Sequence, residues 1–98
     1  MAEELTIQNV RQRLNSALDA AGAEEMRLDP MNGLLSISRV KESGNIYVDR
    51  LRISEDNHMY KSFAGHDYEL SPDAIRQNLK SISDALIKHQ KEILKVRS

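Results

Sequence analysis

Along the C-terminal stretch, apolar residues recur at Ile75, Leu79, Ile82, Leu86, Ile93 and Val96, with His89 standing where the repeat asks for one more. The spacings are 4, 3, 4, 3, 4 and 3. That is a 3.5-residue repeat, the seam of a helix that packs on another helix. The same stretch carries the clearest start signal in the chain. "LSPDAI" offers Ser71 as N-cap, Pro72 at the first helical position and Asp73 in the first turn. No Gly or Pro follows before Val96. A helix from Pro72 to about Val96 measures about 37 Å. A globule of 98 residues is about 33 Å across. The far end, with Ile93, Leu94 and Val96, therefore asks for a cover beyond the chain's own sheet.

Two arrangements fit the seam. It packs across the sheet and the first helix of its own chain, or it meets a second copy or a partner helix. The length argument favours the second. Ile82, Leu86, His89, Ile93 and Val96 are then the anchors, with Lys88, Lys91 and Lys95 at the rim giving orientation. His89 is read as a ring at the edge of the packed region, its tip in water. The alternatives are a register device and a pH-sensitive switch.

A second helix is expected from Thr6 to Ala21. Ile7, Val10, Leu14, Ala17 or Leu18, and Ala21 share one stripe, Thr6 is the N-cap, and Gly22 is the stop. The middle of the chain reads as β. Asp29-Pro30, Asn32-Gly33, "KESGN" and "SEDN" are turn signals. In "IYVDRLRI", Ile46 and Val48 fall on one face of a period-two pattern and Leu51 and Ile53 on the other, which suggests one strand with a β-bulge near Asp49-Arg50. "HMYKSFA" places Met59, Lys61 and Phe63 on one side and His58, Tyr60 and Ser62 on the other. "GHD" reads as a tight turn and "YEL" as a short last strand. The expectation is a single α+β domain spanning 1–98: an antiparallel meander of three or four strands between an N-terminal and a long C-terminal helix, both helices on one face.

Composition narrows function. With no cysteine, disulfides, thiolate catalysis and cysteine-based zinc sites drop out. The core must be aliphatic, built from eleven Leu, eight Ile and four Val, with only Phe63 and three Tyr to add. "MAEELTIQNV" has no apolar run of the secretory kind, and no stretch approaches a membrane span, so a cytoplasmic protein with no membrane partner is expected. The net charge of −1 hides a gradient, with the basic end on the C-terminal helix, where cations complement the helix dipole.

The search for chemistry is thin. His58, His66, Asp67 and Glu69 are the best metal-ligand set in the sequence, but they lack the short fixed spacing of a zinc motif, and His66 and Asp67 read as turn residues. No nucleophile elbow, phosphate loop or dinucleotide fingerprint is present. No catalytic residue, metal or cofactor is assigned. Arg39, Lys41, Arg50 and Arg52 on neighbouring strands, with Tyr47 as a stacking surface, support a nucleic-acid alternative. Acidic neighbours and a pI of about 6.3 weigh against it. No motif ties the chain to a family. The expected function is a non-enzymatic protein–protein interaction module (adaptor, chaperone or inhibitor) that forms a homodimer or binds another protein through its C-terminal helix.

Overall fold

Thr6 starts the first helix as its sequence position suggests. Its backbone is extended and its Oγ1 accepts the Asn9 N–H at 3.0 Å, satisfying one of the amides a helix N-terminus leaves open. Helix α1 spans Ile7–Ala21 and ends at Gly22, which takes φ 67° and donates its N–H to the carbonyls of Asp19 and Leu18. The computed structural model describes residues 5–28 and 35–89. Strands β1 (Glu25–Leu28), β2 (Leu35–Val40), β3 (Asn45–Val48), β4 (Leu51–Ile53), β5 (Met59–Phe63) and β6 (His66–Glu69) follow, and then helix α2 (Pro72–Lys88). All six strands form one antiparallel sheet in sequence order. The α+β meander between two helices is as expected, but the described residues form six strands rather than three or four.

One hairpin adds a strand, and a second turn sits one step earlier than expected. "IYVDRLRI" is not one bulged strand. Val48 pairs with Leu51, Tyr47 with Arg52 and Ile46 with Ile53, so Asp49 and Arg50 form a two-residue turn, with Asp49 at φ 54°. Folding the strand back puts Ile46, Val48, Leu51 and Ile53 on the same face, and all four are buried. The phase slip in the sequence is the hairpin itself. Asp49 also ties the turn to β2, because its Oδ1 accepts the Ser36 N–H at 3.0 Å. The second correction concerns "GHD". The turn is Ala64-Gly65, at φ 52° and 78°, and His66 and Asp67 lie within β6, opposite Phe63 and Ser62. Positive φ at both central residues suits the twist of a two-residue hairpin. The suggested turns at Asp29-Pro30 and Asn32-Gly33 lie outside the described residues.

The register divides the sheet cleanly. On one face run Met26, Ile37, Val48 and Leu51, and beside them Ile46, Ile53 and Met59. These form one buried cluster with Val10, Leu14, Ala17, Leu18 and Ala21 of α1 and with Leu79, Ile82 and Leu86 of α2. Both helices therefore cover the same face. Arg13 of α1 donates to Ser83 Oγ of α2 at 2.7 Å, joining the helices across 70 residues of chain.

The seam of α2 settles inward over the described residues. Leu79, Ile82 and Leu86 are buried in the chain's own core and Ile75 packs against it. Ser71 accepts the Ala74 N–H, Pro72 opens the helix, and His89 stands at its C-cap. His89 is 5% exposed, so it is a buried group and not a half-wet ring at the rim. The reason is geometric: the seam position it occupies points at the same core as Leu86. Lys88 is exposed. The expected continuation to Val96, with Lys91, Ile93, Leu94 and Lys95, lies outside the described residues. No described helix is long and apolar enough to cross a membrane.

Candidate interaction face

With both described helices on one side, no helix among the described residues covers the other face of the sheet. Its residues are fixed by the ladders. One row crosses all six strands: Glu25, Ser38, Tyr47, Arg52, Tyr60 and Glu69, each paired with the next. Directly opposed side chains on one face of a sheet interact across the strands. At the centre of the row the Arg52 guanidinium lies over the Tyr60 ring, 4.3 Å from its centroid, a cation–π geometry. Arg52 also donates to Asp67 Oδ2 from Nε at 3.2 Å, and Nη2 lies 3.0 Å from the same carboxylate. Two contacts thus hold a long side chain in one pose. Tyr47 stands on the other side of Arg52 and is 36% exposed. A depression of about 520 Å³ opens here, lined by Asn45, Tyr47, Asp49, Arg50, Arg52, Ser62 and Asp67.

The end of the row is organised by His58. Its Nδ1 lies 3.0 Å from Glu69 Oε1, and its Nε2 lies 3.9 Å from Asp56 Oδ2. Its ring also stacks on Tyr60, with centroids 6.3 Å apart. The hydrogen bond with Glu69, and then the charge of Asp56, raise the His58 pKa above its ordinary value. Asp56 is held below the usual carboxylate range, chiefly by the hydroxyl of Ser54.

The suggested metal set is only half assembled. His58 and Glu69 meet, but Asp67 belongs to Arg52, and His66 points to the opposite face, where its ring lies edge-on to Tyr68. Alternation along β6 separates His66 from Asp67 and Glu69 by one pleat. Among the described residues no group of three metal-ligating side chains forms.

The four suggested nucleic-acid contacts are also split. Arg39 lies on the helix side, where it bonds Glu24 through Nε and Nη2, Asp19 through Nη1 at 2.9 Å and Asn15 at 3.2 Å. Hydrogen bonding to Glu24, then to Asp19, raises the Arg39 pKa. The same contact with Arg39 lowers that of Glu24. Lys41 reaches Glu24 as well, at 3.6 Å. Arg52 stands on the other face, where Arg50 at the hairpin tip lines the same depression, so the four do not share one surface. The sequence alone points to Tyr47 and Arg52 but misses Glu25, Ser38 and Tyr60 as their row-mates. The signal for Tyr60 is the two-residue hairpin at Asp49-Arg50, because it sets Arg52 opposite Tyr47 and so Tyr60 beside Arg52; Glu25 and Ser38 join the row through the earlier pairings of β1, β2 and β3. Compared with protein-family models, curated proteins and solved structures, the chain has no significant match.

Proposed function

We propose that this chain is a non-enzymatic recognition module, of adaptor, chaperone or inhibitor type, that binds another protein through the helix-free face of its sheet. One observation carries the reading. That face presents a Tyr–Arg–Tyr row whose central arginine is already fixed by Tyr60 and Asp67. Tyr and Arg dominate the residues that contribute most to protein interfaces. A side chain held in its bound pose loses less entropy on association. The C-terminal helix is a weaker candidate over its described length. Its anchors Ile82, Leu86 and His89 are spent in the core. Within the described length of α2, Ile87, at 64% exposure, is the one large exposed apolar residue. Anchors at Ile93 and Val96, with Lys91 and Lys95, remain an expectation for the residues outside. A cytoplasmic setting fits a fold that contains no cysteine.

Nucleic acid is the less favoured partner, because Arg39, Lys41 and Arg52 each sit against a carboxylate. The test is a comparison of surfaces on the immobilised chain. Tyr47→Ala and Arg52→Ala should each weaken capture of a retained protein about tenfold, as loss of a central anchor does. Ile87→Asp, on the outside of α2, should leave it unchanged. Equal retention by all variants would remove the sheet face from consideration. Retention of nucleic acid that collapses between about 50 and 200 mM salt would replace this reading with the other.

A further inference from the structure

We infer that β1 is a self-association edge, pairing antiparallel with β1 of a second copy so that the sheet continues across a two-fold axis. The inference is independent of the recognition role above and rests on the two ends of the sheet.

Among the described strands, β1 and β6 are the terminal ones. An edge strand offers unpaired backbone N–H and C=O groups to any chain that can match them. At β1 the ladder shows which residues offer them. The Arg39 N–H donates to the Glu24 carbonyl at 2.8 Å, and Met26 faces Ile37 two residues further on. Hydrogen-bonded and non-bonded pairs alternate in an antiparallel ladder. Glu24 and Met26 therefore direct their backbone groups at β2, whereas Glu25 and Arg27 direct theirs outward. The side chains of Glu25 and Arg27 are exposed and share the helix-free face.

Two-fold symmetry leaves few registers. Residues that exchange hydrogen bonds must both be outward-directed, so for pairs formed within β1 Glu25 meets Glu25, Arg27 meets Arg27, or Glu25 meets Arg27 of the second copy. The first two oppose like charges. The third places Met26 on the axis and gives two Glu–Arg pairs, one on each side of it, each flanked by backbone hydrogen bonds. Opposite charges directly across a strand pair attract and like charges repel. One register is thus selected by charge alone.

The other end of the sheet makes the contrast. The Leu70 N–H donates to the Met59 carbonyl at 3.1 Å, which turns the backbone groups of Asp67 and Glu69 outward at β6. Every two-fold register of β6 then opposes carboxylates: Asp67 to itself, Glu69 to itself, or one to the other. The same rule that closes β6 to a second copy opens β1.

The experiment is absolute mass by light scattering, from micromolar to millimolar chain. The natural protein should move from 11.2 kDa toward twice that mass. Arg27→Glu and Glu25→Arg should each weaken the dimer about tenfold or more, with unchanged circular dichroism. Mixing these two variants should restore association, because a doubly acidic strand then faces a doubly basic one. The double exchange E25R/R27E should restore it within one chain. A natural protein that stays monomeric at millimolar concentration overturns the inference. So does a single variant that dimerises as well as the natural protein, or a mixture of variants that stays monomeric.

Discussion

His58 joins three parts of the chain that are distant in sequence or role: the 54–58 loop through Asp56, the edge strand β6 through Glu69, and the open face through Tyr60. Its pKa in the folded protein is raised above 6.5, first by the Glu69 hydrogen bond and then by Asp56. A group whose pKa rises on folding adds stability that is complete below its unfolded pKa and is lost as pH climbs through the folded one. The melting temperature should therefore increase as pH falls from about 8 to about 6. The rise is small, because the ring is half exposed and solvent screens its partners. His58→Gln should flatten this slope, and a proton NMR titration of the ring should give a midpoint above 6.5. An identical slope in the variant would show that another group drives it. Asp56 and Glu24 do not compete in this window. Their lowered values give stability that is present above the carboxylate range and lost only under stronger acid.

At the scale of elements, the caps were plain in the sequence and the hairpins were not. Thr6, Gly22, Ser71 and Pro72 act through local chemistry, so their types and positions announce them. The Asp49-Arg50 turn has no Gly, Pro or Asn, and a phase slip in period two fits a bulge as well as a hairpin. Choosing the bulge merges β3 with β4 and hides the row that runs from Glu25 to Glu69. The Ala64-Gly65 turn misled for a similar reason. Polar His66 and Asp67 resemble turn residues more than Ala64 does, yet Ala64 is the one at φ 52°. A residue other than Gly, Asn or Asp is strained there. Ala64→Asn would create the Asn-Gly pair that a two-residue hairpin prefers. It should stabilise the protein by about 0.5–1 kcal/mol, read from the midpoint of urea unfolding at unchanged slope. A lower midpoint would mean that the turn has a different need. The seam of α2 was legible as a buried stripe, but its partner was not. A 3.5-residue and a 3.6-residue repeat diverge little over the span from Ile75 to His89, so the period alone does not name what the stripe packs on.

The whole molecule is a chain of neighbours. Each strand pairs with the one before it, and the hairpins at Asp49-Arg50 and Ala64-Gly65 take two residues each. Nearly every sheet contact is therefore short-range in sequence. The long-range closure is made by the helices, where α2 meets α1 and Arg13 reaches Ser83. This order of separations has a kinetic meaning. Short loops close early and at little entropic cost, while the docking of α2 must bring together the two ends of the chain. The sheet should zip first and α2 should seat late. Leu79, 2% exposed in the core, gives the test. Leu79→Ala should cost about 2–5 kcal/mol, and in stopped-flow measurements nearly all of that loss should fall on a faster unfolding rate, with refolding hardly slowed. A refolding rate that drops in proportion would instead make α2 part of the nucleus. If α2 does seat last, the part of the helix-bearing face that it covers stays bare until then, with only α1 to cover the rest. On the proposed reading, a recognition module would then begin its life with a second surface partly uncovered.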